Sequence, residues 1–424
     1  MPKTHGSPPK KRKKICFIDA FAGCGGLSLG LQNAGWTGRF AIEKNPDAFR
    51  TFAKNLIERS GHPFDWPDWL PKKHTAVRTV LRKYSHELSK LEGKVDLLAG
   101  APPCQGFSLA GRRTHADPRN ALFRQYIRIV KIVKPRFVLL ENVQGFSFPF
   151  KKHGRGQEKY KPYSELLAEK LEALGYKVFS ELVDFSEYGV PQTRSRFILV
   201  AIRSGDKALD KLGDSTPFHR LRNARVPFLK SKDLPHNAPV SVRQAIADLE
   251  MSNTQLVPAS DEEGHGFLQI KYCPYKPLTR FVKLMRRGLE CGPDSIRLAR
   301  HRTETVEQFT KIISSCKKGQ SLNMDDRKRL GIKKHALTPL HSKLPSSTIT
   351  TLPDDILHYS EPRILTVREN ARLQTFPDWF QFTGDYTTGG KERRNACPRY
   401  TQVGNAVPPL FGEAIGRVLK RLCR

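Results

Sequence analysis

The chain of 424 residues contains no apolar run near 18 residues and no C-x-x-C pair. The first absence argues against a membrane span, and a basic N-terminus without an apolar stretch argues against a secretory signal. The eight cysteines are scattered, so we expect reduced thiols rather than a zinc site or a disulfide framework. Acidic residues are also scarce, because 41 Asp and Glu stand against 73 Lys and Arg, a formal net charge of +32. Such an excess favours a polyanionic partner, nucleic acid before an anionic membrane, over mere solubility.

The excess of positive charge is localised. Residues 201–270 carry nine basic and nine acidic side chains, whereas residues 271–343 carry 18 basic and 6 acidic ones. The second stretch therefore fits a surface that follows phosphates. The N-terminal "PPKKRKK" has the composition of a nuclear-import signal, but we favour a phosphate-touching arm or an incidental tail, and we treat residues 1–13 as a disordered basic tail.

Apolar strands and amphipathic helices alternate along the chain from Lys14. We predict strands in "KICFIDAF", "FAIEK", "VDLLAG", "RFVLLENV" and "RFILVAI", with helices between them and a last helix near residues 408–422. This pattern predicts an α/β fold with a doubly wound, mostly parallel sheet, which binds ligands beyond the carboxyl ends of its strands. Residues 14–203 and 345–424 would form this domain. The irregular, proline-punctuated residues 204–344, where "APVSVRQAIADL" is the clearest helix, would form a smaller second domain.

The segment "FIDAFAGCGG" reads as a strand followed by a glycine turn. Gly23, Gly25 and Gly26 allow a ligand to approach the backbone closely. Glu43 follows the next strand, where a carboxylate accepts both hydroxyls of a ribose. The pair predicts a nucleoside-containing cofactor and leaves NAD and S-adenosylmethionine both open.

The segment "VDLLAGAPPCQGF" leads from a strand through two prolines to Cys104. A rigid mount followed by a polar, glycine-spaced loop indicates a nucleophile rather than a packed thiol. A cysteine nucleophile requires nearby positive charge to form its thiolate, and arginines in the same loop and at 194 and 196 supply candidates.

Two further strands carry polar groups at their ends. "FVLLENV" ends with Glu141 and Asn142, where partial burial would raise the pKa of the carboxyl and let it donate a proton. "GVPQTRSRFILV" places Arg194 and Arg196 at alternating positions, hence on one face, where two guanidinium groups suit a phosphate or a base carbonyl.

These segments, followed by "RENARLQTFPDWF" and "QVGNAVPP", occur in the order typical of the DNA cytosine-C5 methyltransferases, a family that this chain resembles closely. The resemblance covers about residues 15–200 and 345–424, and the basic middle falls where the family keeps its target-recognition domain. It implies a Rossmann-like S-adenosylmethionine-dependent methyltransferase fold. It also implies methylation of C5 of a flipped-out cytosine in double-stranded DNA.

The resemblance also implies roles for individual residues. Cys104 would add to C6 of the base, Glu141 would bind N3 and the 4-amino group, Asn142 would shape the loop, and Arg196, with Arg194 behind it, would hold the base. The implied S-adenosylmethionine pocket consists of Phe21, Gly23, Gly25, Leu27, Glu43, Pro103, Leu122, Asn405 and Ala406. Candidates for contact with DNA are Gln105, Ser108, Arg112, Arg113, Arg280, Arg286, Arg287, Arg297, Arg300 and Arg302. No metal is implied.

The chain departs from the family pattern near the adenine. Ala76 stands where an acidic residue is usual, and Lys44 replaces an aromatic or aliphatic residue. Asp65 is a candidate to take over the contact with the adenine amino group.

Three rival interpretations stay open at this point. A tRNA cytosine methyltransferase of the same architecture would carry a Cys-Phe-Thr signature, which is missing from residues 204–344. A catalytically silent DNA-binding protein would not need Cys104 and Glu141 together, and an NAD-dependent oxidoreductase has no use for Pro-Cys-Gln before a basic loop. We expect a monomeric prokaryotic enzyme of the cytoplasm, associated with the nucleoid. A restriction endonuclease acting on the same site is a candidate partner, and orphan or phage-borne enzymes fit equally.

Overall fold

The computed structural model describes residues 14–59, 61, 64–103, 121–151, 159–260, 266–273, 277–289, 292–387 and 396–424. Its strands are β1 (Cys16–Ala20), β2 (Thr37–Ile42), β3 (Leu97–Gly100), β4 (Phe137–Val143), β5 (Phe150–Lys151), β6 (Lys159–Tyr160), β7 (Tyr176–Asp184), β8 (Ser195–Arg203), β9 (Leu256–Pro258), β10 (Leu268–Ile270), β11 (Thr338–Pro339) and β12 (Ile356–Leu357). Its α-helices are α1 (Gly26–Asn33), α2 (Pro46–Leu56), α3 (Val77–Lys83), α4 (Ser85–Ser89), α5 (Ala121–Val133), α6 (Tyr163–Glu172), α7 (Lys207–Leu212), α8 (Pro217–Ser231), α9 (Val242–Ile246), α10 (Arg280–Met285), α11 (Thr303–Ser315), α12 (Met324–Arg329), α13 (Val367–Leu373), α14 (Arg399–Asn405) and α15 (Pro409–Cys423).

Six strands form the central sheet in the order β2-β1-β3-β4-β8-β7. The strands β2, β1, β3 and β4 are parallel to one another, whereas β8 runs antiparallel to both β4 and β7. The prediction of a mostly parallel sheet is therefore confirmed. The edge strand β7 was not predicted, because its sequence "YKVFSELVD" is only partly buried and lacks the continuous apolar run of its neighbours.

Helices cover both faces of this sheet, which confirms the doubly wound α/β fold. The core on one face includes apolar residues of α1, α7, α8 and α15, and the core on the other includes those of α3, α4, α5 and α6. Local signals account for several helix ends: Asn45 caps α2 with Pro46 at its first position, and the observed α15 matches the helix expected near 408–422.

A third apolar core lies next to the glycine turn. It joins Cys24 and residues of α2 to residues of α11, α13 and α14. The C-terminal segment thus packs directly against the first strand–helix unit, as the resemblance implied.

The stretch 204–344 does not have one core of its own among the described residues. Its helices α7, α8, α9 and α10 contribute to the first sheet-face core, and α11 belongs to the third core. A small separate cluster, which we call the β9–β10 cluster, contains Ile270 of β10, the strand that pairs with β9, together with Leu249, Ile296 and Leu298. The packing thus joins parts of this stretch to the sheet, and the limits of the recognition domain, residues 204–344, stay a prediction.

The helix pattern in this stretch also differs from the prediction. The expected helix of "APVSVRQAIADL" is only five residues long before it tightens into a 3₁₀ turn, whereas α8 spans fifteen residues. Pro227 lies inside α8, and a proline within a segment ordinarily argues against a helix. That proline explains why the sequence did not reveal α8.

Candidate active site

The glycine turn after β1 leaves open space beside the backbone. Phe21 and Gly23 both have positive φ, at 63° and 56°, and Gly25 caps α1 at φ 101°. A Cβ atom at Gly23 would meet no other atom within 4 Å, so a ligand has room to approach the main chain there. The conformation at position 23 therefore favours glycine, and the residue leaves the space beside it free.

Glu43 is fixed against this turn by two main-chain hydrogen bonds. Its Oε2 accepts from the N–H of Gly23 at 2.9 Å, and its Oε1 accepts from the N–H of Asn45 at 2.7 Å. Burial raises the pKa of Glu43, and the two N–H groups act in the opposite direction. Each carboxylate oxygen keeps a second lone pair, so the group can still accept hydroxyls of a ribose.

Asp19 is a second carboxylate in this corner, and our sequence reasoning missed it. Its Oδ2 accepts from the Ser28 hydroxyl at 2.6 Å, whereas its buried Oδ1 has no hydrogen-bond partner among the described residues. Burial raises the pKa of Asp19 to about 7. An orphaned buried oxygen is costly, so this position suits a cationic or N–H-bearing group of a ligand. The signal in the sequence was the lone acidic residue within the apolar strand "CFIDA".

The C-terminal segment closes the same corner. A Cβ atom at Gly26 would clash with the carbonyl of Val407, so the chain after α14 lies directly against the start of α1. Asn405 ends α14 and is exposed, and Ala406 is buried beside it. The structure therefore brings Asn405 and Ala406 to the turn that carries Gly23.

Three other predicted cofactor residues occupy different surroundings. The Leu27 side chain lies in the first sheet-face core, facing α15. Pro103 is exposed after β3, and Leu122 is half-buried in the first turn of α5. These two residues flank segment 104–120, which lies outside the described residues and contains Cys104, Gln105, Ser108, Arg112 and Arg113.

Asn142 fixes the segment that leads to Cys104. Its Nδ2 donates to the carbonyl of Pro102 at 3.1 Å, and its Oδ1 accepts from the N–H of Val143 at 2.9 Å. Because β3 and β4 are adjacent and parallel, Pro102 and Pro103 extend past the sheet edge at which Glu141 lies. The amide thus holds the double proline in register with Glu141.

Glu141 forms an ion pair with Arg196 across the antiparallel pair β4–β8. The Arg196 Nε lies 3.2 Å from Oε1 of Glu141, and both side chains are largely buried. Burial raises the pKa of Glu141, although Arg196 and Arg194 oppose that shift. The site therefore combines a desolvated carboxyl with a fixed guanidinium, which can bind neighbouring donor and acceptor atoms of one planar ligand.

Arg194 has other partners than Arg196. Its Nη1 donates to the Ile349 carbonyl at 3.0 Å and its Nη2 to the Gly404 carbonyl at 3.1 Å. The alternation predicted that the two arginines present a common face to one ligand. They do not, because Arg194 precedes β8 and its side chain reaches into the C-terminal segment.

The candidate DNA-reading arginines fall into two groups. Arg286 stacks on Tyr272, Arg297 lies over the rings of Phe267 and Tyr386, and Arg280 pairs with Asp233 at 3.2 Å. These three already have intramolecular partners. The other three are exposed: Arg287, Arg300 and Arg302.

Buried ion pairs that the sequence did not reveal connect α13 to residues 245–248. Arg372 is fully buried between Asp248 and Asp378 and also donates to the Ala245 carbonyl at 3.2 Å. These contacts attach residues 245–248, which precede the basic segment 271–343, to the C-terminal part of the fold.

Asp65 already has partners in the structure. It pairs with Arg39, and its N–H donates to the Gly38 carbonyl, near the start of β2. Glu43 follows the opposite end of that strand, about 13 Å away at about 3.3 Å per residue. The contact of Asp65 with the adenine amino group therefore stays a prediction, and Asp65 would have to exchange its pair with Arg39 to make it.

Two other kinds of site are missing from the part of the chain that the structure describes. It contains no group of three His, Cys, Asp or Glu side chains arranged to hold a metal ion. Nor does any described helix combine the length and apolar character that crossing a bilayer requires.

A family model described as C-5 cytosine-specific DNA methylase matches residues 15–421. Among curated proteins, the chain is 30% identical to the type II methyltransferase M.DdeI of Desulfomicrobium norvegicum, over 94% of this chain and 87% of that protein. It is 29% identical to the type II methyltransferase M1.HphI of Haemophilus parahaemolyticus, over 96% of this chain and 87% of that protein.

Solved structures share the fold. A DNA modification methyltransferase encoded within an E. coli prophage superposes with a TM-score of 0.63 at 24% identity, covering 96% of this chain and 99% of that one. The S. pombe Dnmt2 methyltransferase gives a TM-score of 0.50 at 17% identity, covering 97% and 99%.

Proposed function

The chain belongs to the family of C-5 cytosine-specific DNA methylases, and from this premise we propose that it methylates C5 of a cytosine flipped out of duplex DNA. The methyl donor is S-adenosyl-L-methionine, and the reaction proceeds through a transient bond between Cys104 and C6 of the base. The observation that carries the proposal is the Glu141–Arg196 ion pair at the sheet edge where Asn142 holds the double proline before Cys104.

The base pocket supports this chemistry because cytosine C5 is a poor nucleophile until C6 is substituted. Burial raises the pKa of Glu141 and so favours its neutral form. In that form Glu141 donates a proton toward N3 and accepts a hydrogen bond from the 4-amino group. Arg196 binds O2. Addition of the Cys104 thiolate to C6 makes C5 an enamine carbon, which takes the methyl group, and loss of the C5 proton then expels the thiolate.

The cofactor pocket fits S-adenosyl-L-methionine on two observations. Glu43 has lone pairs free for the ribose hydroxyls, and the orphaned Oδ1 of Asp19 suits the ammonium of the methionine moiety. The open space at Gly23 admits the ligand close to the main chain. When bound, the cofactor supplies an activated methyl group on a sulfonium.

Duplex DNA is the favoured polyanion. The excess of 12 positive charges over residues 271–343 supports contact with many phosphates. The exposed Arg287 and Arg300 are the stronger candidates for base edges, since Arg280, Arg286 and Arg297 already have partners. A narrower recognition region, centred on the β9–β10 cluster and the residues up to Arg302, agrees best with the packing.

The biological setting follows the relatives. Type II methyltransferases are the most similar curated proteins reported above, so we place the chain in a prokaryotic cytoplasm, at the nucleoid, as a monomer. A restriction endonuclease that cuts the same unmethylated sequence is the proposed partner.

One experiment tests the function and maps its site. Unmethylated genomic DNA and total tRNA are incubated separately with the protein and S-adenosyl-L-methionine, and both are sequenced after bisulfite conversion. We expect 5-methylcytosine in one sequence context of the duplex and none in tRNA. Modified tRNA beside unmodified DNA would instead support the tRNA enzyme, and no product in either would support a silent DNA-binding protein.

A further inference from the structure

A buried polar cluster joins the start of β8 to the C-terminal segment. It consists of the side chains of Gln192, Arg194 and Gln374, which are all nearly inaccessible to solvent. The Oε1 of Gln192 accepts from the N–H of Ile349 at 2.8 Å and from Arg194 at 3.4 Å, and its Nε2 donates to Oε1 of Gln374 at 3.0 Å. Burying polar groups is costly unless hydrogen bonds satisfy them, and a network satisfied in this way holds its members rigidly.

The cluster binds the carbonyls on both sides of Asn405. Arg194 donates to the carbonyl of Gly404 at 3.1 Å and to that of Ala406 at 3.5 Å. Gln374 donates to the carbonyl of Val403 at 2.8 Å. These carbonyls belong to the last turn of α14 and the residue after it, where the regular helical hydrogen bonds end. The Val403 carbonyl also accepts from the N–H of Ala406 at 3.2 Å. The cluster supplies further donors to this segment.

The same segment is also fixed by shape. A Cβ atom at Gly404 would clash with the carbonyl of Thr350, so α14 lies directly against the main chain of Thr350. Asn405 itself is exposed, and two residues further on the Val407 carbonyl lies against Gly26. The position of Asn405 therefore depends on the carbonyls on either side of it.

Arg194 precedes Arg196 by two residues, and Arg196 pairs with Glu141. We propose that Arg194 is a positioning residue that holds the Gly404–Ala406 segment of the cofactor pocket in fixed relation to the Glu141–Arg196 pair of the base pocket. The inference rests on the proposed function. A planar guanidinium suits this task, because its donors point in fixed directions at several carbonyls at once, which a lysine ammonium cannot reproduce.

The test compares Arg194→Lys with wild type in two binding measurements. We expect the dissociation constant for S-adenosyl-L-homocysteine, measured by calorimetry, to rise at least tenfold. Binding of the mapped duplex with 2-aminopurine at the target cytosine, and the fluorescence of the flipped base, should stay within twofold. In steady-state kinetics the KM for S-adenosyl-L-methionine should rise by a larger factor than kcat falls.

A matched control separates this effect from a general loss of stability. Arg136 is a partly buried arginine that donates to Asp206 at 2.7 Å; it lies just before β4, at the opposite end of that strand from Glu141. Arg136→Lys should leave the affinity for S-adenosyl-L-homocysteine within twofold. If Arg194→Lys does not fold, Gln374→Met removes the hydrogen bonds to Val403 and Gln192 while keeping Arg194, and it should weaken the same affinity.

Two results would overturn the inference. One is an unchanged affinity for S-adenosyl-L-homocysteine in both Arg194→Lys and Gln374→Met. The other is a loss of flipped-base fluorescence in Arg194→Lys with that affinity unchanged, which would make Arg194 a base contact. Failure of the wild-type protein to bind S-adenosyl-L-homocysteine would instead count against the proposed cofactor.

Discussion

Two opposing influences act on the pKa of Glu141. Burial favours the neutral carboxyl, while the Arg196 guanidinium 3.2 Å away favours the carboxylate. A carboxyl balanced in this way can donate to N3 of a cytosine and take the proton back when the base leaves. Its neighbour Asn142 has a different task, because both ends of its amide are bound to the main chain.

Glu141→Gln tests this role, because it keeps the shape of the side chain but removes the exchangeable carboxyl proton. We expect kcat for methylation to fall by about 10²–10⁴-fold. The affinity for S-adenosyl-L-homocysteine should stay within twofold, since Glu141 lies outside the Glu43 corner. Equal turnover by the variant and the wild type would remove Glu141 from the chemistry.

Asp19 predicts a pH dependence of cofactor binding. Its pKa of about 7 means that the carboxylate dominates above that pH and the neutral acid below it. A bound ammonium favours the carboxylate, so below pH 7 the protein must release a proton on binding. The dissociation constant for S-adenosyl-L-homocysteine should therefore rise by about tenfold in total as the pH falls from 8 to 6, with most of the rise below pH 7. The measurement is calorimetry across that range.

Asp19→Asn is the control for this prediction. The amide does not titrate, so the variant should bind more weakly than wild type at pH 8 and show little dependence on pH. A pH dependence in the variant as steep as that of the wild type would place the titrating group elsewhere.

At the scale of elements, α13 concentrates buried charge. Its residues Arg368 and Arg372 are fully buried, and the latter binds Asp248 and Asp378 together. Glu369 caps the same helix in a capping box with Thr366. This helix therefore depends on long-range partners more than on its own propensity.

Arg372→Met should destabilise the fold strongly, because it leaves two buried carboxylates without their cation. We expect the free energy of unfolding to fall by about 3–5 kcal/mol. Urea denaturation followed by circular dichroism measures it. The exposed pair of Arg50 with Asp47 provides the comparison, and Arg50→Met should cost about 1 kcal/mol or less. Similar losses in both variants would show that the buried pairs around α13 contribute little.

The sequence predicted elements well where local signals are strong. The capping of α2 by Asn45 and the glycine turn before α1 follow from residue types that favour those conformations. The predictions failed where contacts between distant residues determine the secondary structure. Helix α8 tolerates Pro227 because it packs on α15, and β7 is a partly exposed edge strand.

The same distinction holds for the candidate site. Glu43 and Glu141 stand out in the sequence because Glu43 directly follows the apolar strand β2 and Glu141 lies near the end of the apolar strand β4. The partners of Arg194 could not, since Gly404 is 210 residues away in the chain. Asp19 was overlooked because a single acid in a buried strand reads as part of the core until its unpartnered oxygen is seen.

At the scale of the whole molecule, the net charge of +32 predicts DNA binding that weakens steeply with salt. Each phosphate contact contributes about 0.9 to the slope of log Kd against log salt concentration. Replacing the exposed Arg287 and Arg300 together by Gln should lower that slope, by up to about 1.8 if both bind phosphates. Fluorescence anisotropy at several salt concentrations measures it.

Arg280→Gln is the matched control for the salt dependence, because Arg280 already pairs with Asp233. Its slope should stay close to that of the wild type. An unchanged slope in the double variant would show that neither Arg287 nor Arg300 contacts a phosphate.

The central claim is that the Cys104 sulfur bonds to C6 of the target base, and covalent trapping tests it most directly. The mapped duplex is prepared with 5-fluorocytosine at the target position, where fluorine blocks the loss of a C5 proton, and is incubated with S-adenosyl-L-methionine. The wild-type protein should give a protein–DNA adduct that survives denaturing electrophoresis, and Cys104→Ser should give none. An adduct of equal yield with Cys104→Ser, or none with an active wild-type protein, would contradict the account.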